Sequence, residues 1–488
     1  MRLIPAIPTG PARGIVCLVV AMTLNPLVTR VSAADSRSDN FQPDVFGTGA
    51  ALKKRTPGLT DPLGRDCALP ATALSLSAAV DLALCRNPST RSAWAAAHQQ
   101  AAALGSAESA WLPSVSVTGG ETRAYGEHVD VNGNLTSAPQ NTGDAAINLS
   151  WTLYDFGARR GRIKSARRLL DSAAATAGST VQQTVLNVVQ DFYGVVAGDA
   201  ALAAARTTEG VWTRSLQVAR SLREGGVATL ADVLQAETAY DQAVLARVQA
   251  ERAAISAHGT LAVVIGLPAD QALKLDAEPV PAEVPALSAR MADLMAEAVM
   301  QRPDLAAARA ARDAAEADVT VARAAGRPSI SIQGGHDFVA TQGLPNQNFS
   351  QVGIFVTVPI FTGFNVAYGV RQAQAALEAR EANEEQVRLN VSLDVWNAYY
   401  ALDSANQQLA ATATLLKTAE NNQQVAQGRY KSGVGTILDL LTAQTAAANA
   451  LQLRISAELG WQVARAQLAL ALGRLSGAEP LIREPALP

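Results

Sequence analysis

The chain carries one unit twice. Asn87-Pro88, Trp111-Leu112-Pro113 and Gly119-Gly120 return as Arg302-Pro303, Gly326-Arg327-Pro328 and Gly334-Gly335, each 215 residues later. Further on, Tyr154-Asp155-Phe156 returns as Phe361-Thr362-Gly363, Gly226-Val227-Ala228-Thr229-Leu230 as Gly433-Val434-Gly435-Thr436-Ile437, and Ile265-Gly266 as Leu472-Gly473, now 207 residues later. The offset falls from 215 to 207, so the first copy holds eight extra residues between Gly120 and Tyr154. A length change confined to one short window marks a loop, because packed elements do not tolerate it. Two long copies make an internal duplication and not a solenoid.

Within each copy the hydrophobic period changes. Residues 76–110 read as helical. Val115 and Val117 then alternate with Ser114, Ser116 and Thr118, and Ile147, Leu149, Trp151 and Leu153 alternate with Asn148, Ser150 and Thr152. Period 2 over such lengths predicts strands at about 113–123 and 145–155. Ile330, Ile332 and the run Val352, Ile354, Val356, Val358 predict a second pair at about 328–338 and 350–361. Each pair precedes a long helical pattern, about 157–223 and 364–431. The stripes Val181-Val185-Val188-Phe192-Val195 and Leu389-Leu393-Trp396-Tyr400 are spaced there like heptads. Glycine turns at 224–228 and 432–435 lead into returning helices 229–265 and 436–473.

Helix lengths suggest how the pieces stack. At 1.5 Å per residue each long helix spans roughly 100 Å, and each returning helix about 55 Å. A helix at 288–325 supplies the missing length beside the first, and 76–110 beside the second. The expected divisions are a first repeat at 76–266, a Pro-rich linker at 267–287, a second repeat at 288–475 and a tail at 476–488. Alanine accounts for much of the 49% hydrophobic content, while aromatics are only 5%. Alanine favours helices and close helix packing over a thick core.

The apolar stretch near Gly14–Leu24, with Arg13 before it and Val31-Ser32-Ala33-Ala34 after it, reads as a secretory signal peptide over 1–34. A short anchor is the alternative. Residues 35–75 read as an extended segment. Removal of Cys17 with the signal would leave Cys67 and Cys85 in an oxidising compartment, where a disulfide is expected and two buried thiols are the alternative. A net charge of −3 offers no basic face for nucleic acid. His98, His128, His258 and His336 lack metal-ligand spacing, Gly47-Thr48-Gly49 stands without a strand–helix unit, and no Ser/His/Asp set stands out. The sequence therefore offers no catalytic, cofactor-binding or metal site.

Alternating strands in a secreted chain without a hydrophobic helix fit an outer-membrane β-barrel. Four strands cannot close, and open edges in lipid leave backbone groups unsatisfied. Two chains would give a barrel filled by side chains and three a lumen. A hairpin pair capping a soluble coiled-coil rod is the plainer alternative.

With these pieces in order twice, the chain resembles the TolC family of outer-membrane channels over about 76–475. The matching pieces are Asn87-Pro88 and Arg302-Pro303, the strand ends at 151–157 and 359–363, and the turns 226–232 and 433–439. The resemblance implies a mostly α fold with a small β part. It also implies a homotrimer with a 12-stranded barrel in outer-membrane lipid, carried on a long periplasmic α-helical barrel. The implied partners are a periplasmic adaptor and an inner-membrane ABC transporter or other pump. The stretch from Cys67 to Trp94 is similar to members serving type I secretion of large toxins such as cyclolysin, with multidrug or metal efflux as the alternative. A periplasmic adaptor, the rival of another class, would carry one hairpin where this chain duplicates hairpin and strands alike.

The resemblance also assigns roles to residues. Gly226, Val227, Gly433 and Val434 would meet the adaptor, although glycines suit tight helical turns on structural grounds alone. Asp232 and Asp439 follow their turn glycines by six residues. They read either as partners of the helix dipole or, in a trimer, as rings of carboxylates selecting cations at the pore entrance. Asp439 matches an entrance-ring aspartate, and Asp232 and Tyr430 match a hydrogen-bonded pair that helps to hold the entrance closed. Thr442 and Gly435 depart from that pattern, which implies a less acidic and less tightly latched entrance.

Overall fold

A computed structural model describes residues 44–56, 67, 69, 73–129, 133, 135–137, 139–276 and 290–475. The expected signal peptide, most of segment 35–75, the linker from 277 to 287 and the tail lie outside them. The chain divides into Met1–Val45 and Phe46–Pro488, and every described helix and strand belongs to the second unit. Its first part holds α1 (Thr48–Arg55), β1 (Leu74–Ser75), α2 (Leu76–Arg86), α3 (Pro88–Glu108) and a 3-10 turn at Ser109–Trp111. Then come β2 (Ser114–Ala124), β3 (His128–Val129), β4 (Leu135–Thr136), β5 (Gln140–Tyr154), α4 (Ala158–Glu224) and α5 (Leu230–Val264). The rest is β6 (Leu275–Asp276), α6 (Met291–Gln301), α7 (Pro303–Ala324), β7 (Ser329–Thr341), β8 (Gln347–Thr357), α8 (Asn365–Lys431) and α9 (Ile437–Ala471).

The long helices α4 and α8 each run 67 residues. The expected continuous helices 76–110 and 288–325 are each broken once. Asn87 and Arg302 take extended conformations, with ψ of 128° and 123°, and Pro88 and Pro303 open the next helix. A proline disfavours the helical region for the residue before it, yet its own fixed φ suits a first helical turn. Each break receives a glycine from the returning helix of the same copy. A Cβ on Gly266 would lie 2.7 Å from the Arg86 Cβ, and one on Gly473 would lie 3.0 Å from the Gln301 carbonyl carbon. Both glycines have positive φ, so the two duplicated motifs are halves of one contact.

Packing follows the duplication. In the first copy Val185, Val188, Phe192 and Val195 of α4 are buried with Val80 and Ala83 of α2 and with Leu261 and Ile265 at the end of α5. In the second, Val391, Val395 and Leu402 of α8 are buried with Leu294 and Ala298 of α6 and Trp461 and Leu468 of α9. This corrects the second expected stripe: Leu389, Leu393, Trp396 and Tyr400 are all exposed. The α8 helix has two apolar stripes, and the single chain covers only the other one. Of the described helices, α4 also contains a stretch long and apolar enough to cross a membrane by length and composition, against the expectation of a chain without one. The buried valines and phenylalanine of α4 serve the helix-packing core.

The strands form one antiparallel sheet in the order β2-β5-β7-β8, so β5 and β7 join the two copies and β2 and β8 are its edges. The inner strands β5 and β7 run further than the expected spans. The extra residues of the first copy fall where β3 and β4 pair between β2 and β5. Cys67 and Cys85 are disulfide-bonded, with Cα atoms 6.3 Å apart. This ties the segment before β1 to α2.

Candidate functional site

Register decides what the sheet can do. Val115, Leu149, Gly334 and Val352 form one cross-strand row, and Trp151, Ile332 and Ile354 form the next. Directly paired residues point to one side, so these rows build a single apolar face. His336, bonded to Ser350 at 2.8 Å, interrupts that face. The opposite face is mainly polar, with Ser114, Ser150 and Gln333 in one row and Ser116, Asn148 and Gln351 in another, although Phe349 and Phe355 of β8 also lie on it. Val115, Val352 and Ile354 are 66%, 79% and 69% exposed. Among the described residues nothing covers this face or pairs with the outer edges.

The sheet meets the helices through a buried cation that sequence reasoning misses. Arg159 donates to the Leu153 carbonyl at 2.7 Å, to the Ala110 carbonyl at 3.3 Å and to the Asp155 carboxylate at 3.2 Å. Its guanidinium stacks on Trp111, 4.2 Å from the ring centroid, and the Trp151 indole N–H donates to the Trp111 carbonyl at 2.9 Å. One side chain thus anchors the ends of both strands of the first hairpin to α4. Only the i,i+4 spacing of Asp155 and Arg159 hints at it. Two consecutive left-handed residues precede each long helix, Phe156 and Gly157 in the first copy and Gly363 and Phe364 in the second. A non-glycine residue there is strained.

At the far ends of α4 and α8 the two glycine turns are alike. Gly226 and Gly433 have φ of 78° and 74°. The Val227 amide donates to the Leu222 carbonyl at 2.8 Å, and the Val434 amide to the Arg429 carbonyl at 3.1 Å. This is the backbone pattern of a Schellman turn, in which the residue after the glycine commonly packs back on the helix. Here Val227 and Val434 point outward, 68% and 72% exposed, and Leu230 and Leu438 beside them are exposed too.

Both aspartates close capping boxes. The Asp232 carboxylate accepts from the Thr229 amide at 2.7 Å and the Thr229 hydroxyl at 2.9 Å, while the Asp232 amide donates to Thr229 Oγ1 at 3.2 Å. Asp439 and Thr436 repeat the arrangement at 3.2 and 3.1 Å. The Thr436 hydroxyl and amide, and then Arg429, hold the Asp439 carboxyl below the usual carboxylate range. The cap accounts for an aspartate at both positions.

The expected Asp232–Tyr430 hydrogen bond is not made. Asp232 is taken by Thr229, and the Tyr430 hydroxyl is buried without a hydrogen-bond partner. Burial first, and then the Asp232 charge, raise the Tyr430 phenol above its ordinary value. The two residues therefore feel each other between the two turns without bonding. Among the described residues no group of His, Cys, Asp or Glu is arranged to hold a metal ion. His258 instead faces Asp199 at 3.2 Å.

Residues 79–267 and 294–474 match the family described as outer membrane efflux protein. The two matched blocks follow the duplication. The chain is 30% identical over 381 residues to protein CyaE of Bordetella pertussis, covering 76% of this chain and 78% of that one. It is 28% identical to the toluene efflux pump outer membrane protein TtgC of Pseudomonas putida, covering 74% and 75%. Among solved structures it superposes on the outer-membrane channel OprN with a TM-score of 0.72 at 22% identity, covering 82% of this chain and 89% of that one.

Proposed function

The chain belongs to the outer membrane efflux protein family, whose members are outer-membrane channels reaching into the periplasm, and from that premise we propose that it is the outer-membrane component of a three-part export system. The observation that carries this reading is the sheet: one apolar face, one polar face and two unpaired edges at the root of two roughly 100 Å helices. Unpaired edges in lipid cost several kcal/mol per group, so the sheet must close with copies of itself. Three copies give 12 strands, enough for a lumen, with the polar face turned inward. The second apolar stripe of α8, Leu389 to Tyr400, then meets a neighbouring helix. The glycine turns take the adaptor at the periplasmic end, through Val227 and Val434. Asp439 forms a carboxylate ring near the same end, with Asp232 beside it. An inner-membrane ABC transporter or other pump supplies the cargo.

For the cargo class we favour type I secretion of a protein toxin. The run from Cys67 to Trp94 supports it, as does the greater similarity to protein CyaE than to the toluene efflux protein. Small-molecule efflux is the second reading and rests on the latter relative. Heat-modifiable trimer bands from outer-membrane fractions and ion conductance in planar bilayers test the channel. Deletion of the gene separates the cargo classes: loss of a secreted protein at unchanged drug susceptibility supports secretion, and the reverse supports efflux.

A further inference from the structure

The start of α4 breaks a local rule. Arg159, Arg160, Arg162, Lys164, Arg167 and Arg168 crowd its first three turns, with no acid among them. Cations at a helix N-terminus oppose the helix dipole and repel one another. The duplicate keeps only one of them: the matching positions in α8 are Val366, Ala367, Gly369, Arg371, Gln374 and Ala375. A helix of the same length thus forms with one such cation in place of six, and only Arg159 is accounted for by the strand anchor.

The remaining cations surround an open cavity of about 390 Å³ between α1, the 3-10 turn before β2, and α4. Arg55, Arg160, Lys164, Arg167 and Arg168 line it with Trp111, against a single lining carboxylate, Asp171. Four of these cations also touch carboxylates. Arg55 meets Asp171; Arg168 meets Asp171 at 3.2 Å and Asp313 at 3.7 Å; Arg167 meets Glu108 at 3.3 Å; and Lys164 meets Glu316 at 3.7 Å. The cations that α4 contributes to these pairs, Lys164, Arg167 and Arg168, are solvent-exposed, and pairs of that kind contribute little and exchange readily. Among the described residues Arg160 makes no ion pair.

Position identifies the ligand. The sheet ends at Tyr154 and α4 begins at Ala158, so the cations lie within about 15 Å of the strand ends along the helix axis. The headgroup layer begins where the apolar strand face stops, and long Lys and Arg side chains reach back to it. Trp111, Tyr154 and Phe156 stand at the same level and are exposed, as aromatics at a lipid interface are. We propose that this cavity binds the phosphate of an anionic phospholipid headgroup, in the leaflet facing the periplasm. The site rests on the outer-membrane reading of the chain.

Native mass spectrometry of the purified protein, mixed with phosphatidylglycerol or phosphatidylcholine of equal acyl chains, tests it. The wild type should retain phosphatidylglycerol in preference. Arg160→Gln should cut that retention on the order of fivefold, the effect of one cation beside an anionic headgroup, with phosphatidylcholine unaltered. Arg162→Gln, an equal charge outside the cavity lining, should change neither. Equal retention of both lipids by the wild type, an unchanged Arg160→Gln, or an equal loss in Arg162→Gln would overturn the site. Displacement of phosphatidylglycerol by millimolar inorganic phosphate would reassign it to a free anion and overturn the lipid. Bilayer conductance of the same preparations reports separately on the channel, so failure of the site and failure of the channel reading remain distinct.

Discussion

The Gln444 side-chain amide donates to Ser215 Oγ at 2.8 Å, bonding α9 of the second copy to α4 of the first. Both residues are buried. The Ser215 hydroxyl also lies 3.1 Å from the Val211 carbonyl of its own helix, so it can accept from Gln444 while donating there. This polar contact sits beside the core formed by Leu216, Val233, Tyr430 and Leu440 near the glycine turns. It joins the two copies at the end of the long helices where the pore entrance is proposed.

Truncating Gln444 should therefore loosen that end. Gln444→Ala leaves a void and an under-bonded serine, at a cost of about 1–3 kcal/mol. The thermal midpoint of the detergent-solubilised protein should fall. The double replacement Gln444→Leu with Ser215→Ala removes both polar partners and should recover most of the loss. An equal drop in both variants, although leucine holds the volume of glutamine, would show that the bond itself, and not packing or an unpaired serine, is what matters.

Val227 and Val434 present apolar surface at the two turns without using it within the chain. Replacing both with arginine should lower export on the order of tenfold or more, the equivalent of at least ~1.4 kcal/mol of lost docking. Trimer bands and membrane insertion should be unchanged, because neither side chain packs on its own helix. If assembly fails in parallel with export, the turns are structural only.

The Tyr430 hydroxyl is buried and unbonded, so Tyr430→Phe removes a group that contributes nothing to the fold of the single chain. Thermal stability should stay level or rise by up to about 1 kcal/mol, and single-channel conductance should not change. A clear loss of stability, or a larger conductance, would reveal a bond to Asp232 in the assembled entrance.

Much of this architecture is legible because the duplication repeats each weak signal. The long helices, the glycine turns and the strand pairs all lie where periodicity puts them. Periodicity does not say which apolar stripe of α8 the chain covers itself. Leu389 and Val391 are two residues apart, and only the positions of α6 and α9 choose between them. The prolines at 88 and 303 and the glycines at 266 and 473 are visible as motifs, but their mutual contact is a tertiary fact. Arg159 stays hidden for the same reason, since the carbonyls it binds belong to Ala110 and Leu153. Asp232 and Asp439 stand three residues after Thr229 and Thr436, with aspartate in the place where a capping box usually has glutamate or glutamine. The cap is therefore present in the sequence, in a form that its usual pattern does not match.

The Cys67–Cys85 bond closes a loop with a sequence separation of 18. Loop-closure entropy puts its contribution at about 3 kcal/mol. Protein isolated from the outer membrane should resist alkylation at both cysteines until reduced. Reduction should release the segment before β1 and lower the thermal midpoint without dispersing the sheet. Ready alkylation before reduction would mean free thiols in the mature chain.

Asp439 has two roles to separate, the helix cap and the proposed carboxylate ring. Its carboxyl is held below the ordinary range by the Thr436 hydroxyl and amide and by Arg429. A depressed carboxylate stabilises the fold above its unfolded value of about 4. That contribution is lost only as pH falls through the lower folded value. The charge should therefore persist, and cation selectivity in planar bilayers should be flat from pH 7 to well into the acid range. Asp439→Asn removes the charge while its side-chain oxygen can still accept from the Thr436 amide. It should lower cation selectivity and weaken block by multivalent cations applied from the periplasmic side, with little change in stability. Asp439→Ala should do the same and also lose the carboxylate half of the capping box, lowering the thermal midpoint. If Asn keeps full selectivity and block, Asp439 is a cap alone and the charge at the entrance comes from elsewhere.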